Sequence, residues 1–246
     1  MTPLDFKTLR NVAIAEGHDA ETLEFIDNLW AMAPAKTCEG MLAVALGYDM
    51  ESFTLLARLL KSALPRRSFS AAPDIVNLDD WSILFVPGDL HLDGNLPIEN
   101  TMVIVLGGLT VTGVIGSYRD FEVTRFVVLG DLNAAGLEGD KDIFVEGTVS
   151  ADIIWFDGKE GLLVAKAIDA RILYSGSERA IEVEAVRAEH TFSPRKPVNV
   201  AALESVLAPE AFVPETGYVF EGHPGYGCVN RALRLLQLGR AGLLHH

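Results

Sequence analysis

Val86-Pro87-Gly88-Asp89-Leu90, Val105-Leu106-Gly107-Gly108-Leu109 and Val128-Leu129-Gly130-Asp131-Leu132 are three versions of one phrase. Val145-Glu146-Gly147-Thr148-Val149 is a fourth. Val164-Ala165-Lys166-Ala167-Ile168 keeps the frame without its glycine, and Val183-Glu184-Ala185-Val186 is a worn last copy. The leading valines stand 19, 23, 17, 19 and 19 residues apart. Self-similarity at this period, with apolar positions alternating, is the signature of a β-solenoid in which each copy is one coil. Each coil carries a second apolar cluster: Leu96 and Ile98, Val114 and Ile115, Leu137, Ile153 and Ile154, Ile172 and Leu173. That cluster supplies a second wall. Glycine after the valine suits a tight bend or a close backbone approach. The uneven steps place insertions at the corners, where a stack tolerates them.

On either side of the repeat the apolar spacing changes from 2 to about 3.6. Leu4, Phe6, Leu9, Val12 and Ala13 predict a first helix stopped by Gly17. Asp19, Thr37 and Asp49 are suited to cap three more, ending at Pro34, Gly47 and Pro65. Short helices of this kind need tertiary partners. The stretch from Pro65 to Pro73 reads as a linker or chain reversal. After the repeat, Asn199 is placed to cap a helix through Leu207, stopped by Pro209. A loop from Pro214 to Gly227 leads to a last helix from Val229 to Leu238. The predicted class is α+β: a helical N-terminal domain over 1–72, a single-stranded β-helix of about six coils over 73–192, and a helical C-terminal cap over 193–246. Helices at both ends are expected to cover the open rungs of the stack.

The 246 residues carry 34 acidic and 20 basic side chains, a net charge of −14. Residues 1–70 hold 9 acidic and 7 basic groups, residues 71–192 hold 21 and 8, and the remainder 4 and 5. The acidic excess therefore sits in the solenoid, which argues against a nucleic-acid or anionic-membrane partner. No apolar run is long enough for a transmembrane helix. The opening residues lack the basic-then-apolar order of a signal peptide, and the two distant cysteines, Cys38 and Cys228, fit reduced thiols. A cytoplasmic protein is expected.

Catalytic chemistry finds little support. The histidines are His18, His91, His190, His223, His245 and His246, and none stands at a metal-ligand spacing from another or from a cysteine, apart from the adjacent pair at the chain end. A hexapeptide acyltransferase register runs through Val86, Leu92, Ile98 and Ile104, then fails at Thr110 and Gly116. Asp79-Asp80, Asp140-Lys141-Asp142 and Glu182 with Glu184 read more simply as solvated turn and edge residues than as acid–base or Ca²⁺ pairs. Gly107-Gly108 lacks the Lys-Ser/Thr of a phosphate loop, and Cys228 has no evident base. The glycine-rich stretch Gly222 to Gly227 reads as a connector or a binding loop. Trp30, Trp81 and Trp155 read as packing anchors. No enzyme, no catalytic residue, no metal and no cofactor is expected.

The Val-x-Gly-x-Leu phrases over about residues 80–190 resemble those of bacterial right-handed β-helix proteins with helical flanks, some of them immunity-protein-like. More distantly they resemble the bactofilin-like, polymer-forming cytoskeletal proteins. The resemblance implies a right-handed coil and a non-catalytic protein-binding module, in its sharpest form an immunity-type protein that neutralises a basic toxin or effector domain. The bactofilin likeness implies a scaffold assembling through solenoid ends. Strand alternation sends Val86, Gly88, Leu90 and Leu92 inward and Asp89, His91 and Asp93 outward. In the same frame Asp131, Glu146, Asp152, Asp169 and Glu184 face solvent, so Asp89 and these five are expected to form one acidic strip that steers a basic protein partner to a monomer or small oligomer.

Overall fold

Each of the first four helices begins where a side-chain oxygen accepts an otherwise orphaned backbone N–H. Asp5 opens α1 (Phe6–Ala15), Asp19 opens α2 (Ala20–Met32), Thr37 opens α3 (Cys38–Ala45) and Asp49 opens α4 (Met50–Ala63). Gly17, at φ 80°, ends the first turn of chain where a side chain would be strained. A computed structural model describes residues 1–78, 81–98, 101–116, 125–158, 161–177, 179–193, 195–196, 200–212 and 224–237. The pair Asp79-Asp80, Asn199, Pro214 to His223 and Leu238 lie outside the described residues.

The repeat winds into a solenoid of about six coils spanning residues 67–192, as the periodicity predicted, and each coil has three parallel ladders rather than two. Wall 1 stacks β3 (Trp81–Val86), β5 (Thr101–Val105), β7 (Phe126–Val128) and the first residues of β9 (Ile143–Phe156), β10 (Leu163–Ser175) and β11 (Ile181–Phe192). Wall 2 stacks β1 (Arg67–Phe69), β4 (Gly88–Leu92), the start of β6 (Leu109–Ile115), the start of β8 (Leu132–Gly139) and the middles of the three long strands. Wall 3 begins at the Leu96–Ile115 bridge and runs through Leu137, Ile154 and Leu173. β2 (Val76–Leu78) lies antiparallel on β3 and covers the first edge of wall 1. β1 falls in the stretch expected as a linker; three residues are too few to show a period of 2.

Val86, Val105, Val128 and Val145 point inward and are buried, with Leu90, Leu109, Leu132 and Val149 stacked across the column from them. The fifth copy needs a correction of one residue in its leading position, while the sixth keeps Val183. Val145 pairs with Ala165, which pairs with Val183, so Val164 faces outward. The missing glycine is the reason: Ala165 to Ala167 spans two positions where Val145 to Thr148 spans three, and the chain slips by one at the corner. Where the glycine is present it is required. A Cβ on Gly107 would lie 2.2 Å from Asp89 Oδ1, and one on Gly147 would lie 2.2 Å from Asp131 Oδ1. Those two carboxylates reach one coil onward, accepting the N–H of Gly108 at 2.7 Å and of Thr148 at 2.8 Å.

Wall 1 over its first three coils and wall 3 over its middle coils are largely buried on both faces, while farther along wall 1 Phe144 and Val164 are half-buried and Glu182 is exposed. The outer side of wall 1, with Ile83, Phe85, Met102, Ile104 and Val127, packs under the four N-terminal helices. The outer side of wall 3, with Val114, Ile153, Ile172, Tyr174 and Phe192, packs under the C-terminal helices. These are α5 (Val200–Leu203), a 3₁₀ turn over Pro209–Phe212 and α6 (Pro224–Gln237). Pro209, expected to stop a helix through Leu207, starts a helical turn after α5 has ended at Leu203, and Pro224, expected in the loop, starts α6, in keeping with proline's fixed φ and missing donor. Gly225 and Gly227 of the expected loop therefore belong to α6. Helices flank the solenoid at both ends of the chain, and the described ones cover its sides. Trp155 stacks on Tyr174 with ring centroids 4.1 Å apart, and Tyr174 lies 5.2 Å from Phe192, which continues the stack. Trp155 is thus an anchor of the C-terminal cover.

Polar contacts fasten the N-terminal helices to wall 1. The Arg125 guanidinium donates to the Tyr48 and Asp49 carbonyls and lies 4.8 Å from the Phe53 ring centroid. Glu146 receives Arg58 Nε at 2.9 Å and Lys61 Nζ at 3.2 Å. Partial burial raises the Glu146 pKa, but the hydrogen bonds from Arg58 and Lys61 outweigh it and leave the carboxyl below its ordinary 4.5. Its stabilising contribution is full above that value and is lost as pH falls through the depressed folded value. Because these side chains are a quarter to a half exposed, Glu146→Gln is expected to cost only about 0.5–1 kcal/mol at neutral pH. Thermal melts of the variant and the parent should converge as pH falls through that depressed value.

Candidate interaction face

Wall 2 is the face that the described helices leave bare. Its inner residues, Leu90, Leu109, Leu132, Val149 and Ile168, belong to the column. Outside, the register sets His91, Thr110, Asn133, Ser150, Asp169 and Arg187 in one row along the stack. Beside it, Thr112, Ala135, Asp152, Arg171 and Glu189 occupy the turn toward wall 3 and, with most of the first row, line an open groove of about 1060 Å³. The groove is neutral and small-sided at Thr110, Thr112, Asn133, Ala135 and Ser150. It is charged at the later coils, where Arg187 lies 3.4 Å from Asp169 and Arg171 lies 3.9 Å from Glu189. Among the described residues, no aromatic side chain lines it.

The six carboxylates expected to form one strip are divided among three places. Asp89, Asp131 and Glu184 are exposed along the corner between walls 1 and 2, the first two tied to backbone N–H groups of the next coil. Glu146 turns toward α4 and its two cations. Asp152 and Asp169 stand on the groove. Simple alternation missed this division because it does not say which corner a residue turns. Arg171, Arg187 and Glu189, absent from the expected set, share the groove with Asp152 and Asp169; the 19-residue step pairs Ser150 with Asp169 but would set Ala188, not Arg187, beside Asp169.

His91 on wall 2 of the first coil and His190 on wall 3 of the last are far apart in the stack. Among the described residues, no group of three or more His, Cys, Asp and Glu is placed to hold a metal ion. Cys38 and Cys228 are buried free thiols, and burial pushes Cys38 up to about 12. Among the described residues, no helix is long and apolar enough to cross a membrane. No family model, no curated protein and no solved structure matches this chain.

Proposed function

We propose that the protein is a non-catalytic, cytosolic protein-binding module that presents wall 2 to a basic protein surface. The observation that carries this reading is the charge on the one uncovered wall. Over its six coils and margins, Asp89, Asp93, Asp131, Asp152, Asp169, Glu184 and Glu189 stand against Lys166, Arg171 and Arg187. Two walls are spent on holding helices, and the third is left polar, ordered by backbone ladders and small-sided over its middle coils. An acidic, preformed surface of this kind attracts a basic partner before contact and costs little ordering on binding. In its sharper form the module is an immunity-type protein occluding a basic toxin or effector domain.

The test uses paired baits. Wild-type protein and the double variant Asn133→Arg/Ser150→Arg, which fills the neutral half of the groove with bulk and positive charge, are used to capture partners side by side. Glu21→Lys, on α2, serves as the charge control. A basic protein held by wild type and by the control, lost with the double variant, and binding more weakly as salt rises supports the reading. Equal capture by all three baits overturns it.

One observation favours a second reading, a scaffold assembling through solenoid ends. Among the described residues β11 pairs with β10 alone, and Val186 on its edge is 48% exposed. Sedimentation separates the two: a scaffold grows with concentration into filaments or large oligomers, and a binding module stays small.

A further inference from the structure

Glu138 stands on wall 3 of the third coil, in register with Trp155 of the fourth. The neighbour on the other side is Gly116, where a Cβ would lie 2.8 Å from Glu138 Cβ, so only a glycine leaves the carboxylate its place. Next to it, the corner Asp140–Asp142 carries the chain into the fourth coil. Glu138 shares there a pocket of about 20 Å³ with the apolar side chains of Ile98, Phe126 and Ile143. That is room for about one water molecule and not for the hydration shell of an ionised carboxylate. Glu138 Oε2 is shut off from solvent and accepts no hydrogen bond among the described residues.

Among the described residues, the charge that acts on it is one of its own sign. Asp140 repels it. Asp142 Oδ1 accepts the Leu162 N–H at 3.1 Å and lies in the field of Arg125, whose guanidinium is directed at the Tyr48 and Asp49 carbonyls. Lys141 lines the same pocket. From β9 the neighbour is the neutral Trp155. From α6, Leu233 reaches this strand at Gly136, and Arg231 donates to the Ala211 carbonyl.

We propose that Glu138 is a proton-operated latch on the corner between the third and fourth coils, seated while it carries its proton and driven out of the pocket when it ionises. A neutral carboxyl tolerates the small apolar-walled space; a carboxylate facing Asp140 does not. Burial first, and then the charge of Asp140, push the Glu138 carboxyl up to about 7. The folded protein then holds this proton more tightly than the unfolded chain, so stability is greatest below the ordinary value of 4.5, declines as pH rises toward 7, and is level above it.

The experiment follows the side-chain carboxyl carbons by NMR across pH in the full chain, with Glu138→Gln identifying the signal and Asp140→Asn as the second variant. The latch predicts a Glu138 midpoint near 7 in wild type, shifted downward in Asp140→Asn. Amide exchange over residues 139–143 should accelerate above that midpoint in wild type and stay slow in Glu138→Gln. The melting temperature of wild type should fall between about pH 5 and pH 8 relative to that of Glu138→Gln. A Glu138 midpoint in the ordinary carboxylate range, or melting temperatures of the two proteins that run parallel across this interval, overturns the proposal.

Discussion

Val128→Asp is expected to abolish the folded solenoid under ordinary conditions. Val128 is fully buried on the inner side of wall 1, between Val105 and Val145 in the ladder, and packs toward Leu132 in the column. A carboxylate there has coils on both sides and, among the described residues, the apolar column around it. Burying it costs about 3–5 kcal/mol even after it takes up a proton or distorts its surroundings. That is a large share of the roughly 5–15 kcal/mol by which a domain of this kind is stable. Circular dichroism and denaturant titration should show a collapsed midpoint. Val164→Asp, in the sister position of the sequence repeat, should be much milder because Val164 faces away from the column and is only half-buried. Equal damage at the two sites would place the frame of the fifth coil where the simple alignment puts it.

Ending the chain after residue 193 is expected to cause aggregation. The loss uncovers Val114, Ile153, Ile172, Tyr174 and Phe192, five adjacent apolar side chains on the outer face of wall 3 that now meet Leu203, Leu207, Val229 and Leu233. Each such side chain is worth about 1.5–3 kcal/mol when moved out of water, and a contiguous exposed patch of this size seeks another surface. Light scattering on the shortened protein should report large particles. A soluble, folded monomer would show that wall 3 does not depend on the C-terminal helices.

These two expectations show where the sequence was readable. The valine phrase exposed the inner column because inward positions recur whatever lies outside. The division into covered and bare walls was also written there: Ile83-Leu84-Phe85-Val86 and Met102-Val103-Ile104-Val105 are unbroken apolar runs, as strands buried on both faces must be. Gly88-Asp89-Leu90-His91-Leu92 and Leu109-Thr110-Val111-Thr112 alternate, as a wall with one wet face must. The doubled pairs Val114-Ile115, Ile153-Ile154 and Ile172-Leu173 follow the same rule for wall 3, one member facing the column and one facing the C-terminal helices.

What stayed hidden depended on contacts between distant residues. Glu146 looks like another solvated acid until α4, more than eighty residues earlier, brings Arg58 and Lys61 to it. Asp89 and Asp131 look like binding residues until the next coil supplies the N–H groups they hold. The slip at Lys166 hides behind a conservative-looking run of Val, Ala and Ile. Glu138 carries no signal in its own neighbourhood; only the stacking of Gly116 beneath it and the pocket beside it mark it out.

The central claim is that the helices cover two walls of the solenoid and leave wall 2 open. Thiol labelling of native protein tests it most directly, because the resident Cys38 and Cys228 are both buried. Single cysteines are introduced by Thr112→Cys and Asn133→Cys on wall 2, by Val127→Cys on the outer face of wall 1, and by Ile172→Cys on that of wall 3. The two wall 2 thiols are expected to react at nearly the rate of an unfolded peptide, while those at 127 and 172 react only on unfolding. Protection at 112 and 133, or rapid native-state labelling at 127 and 172, would contradict it.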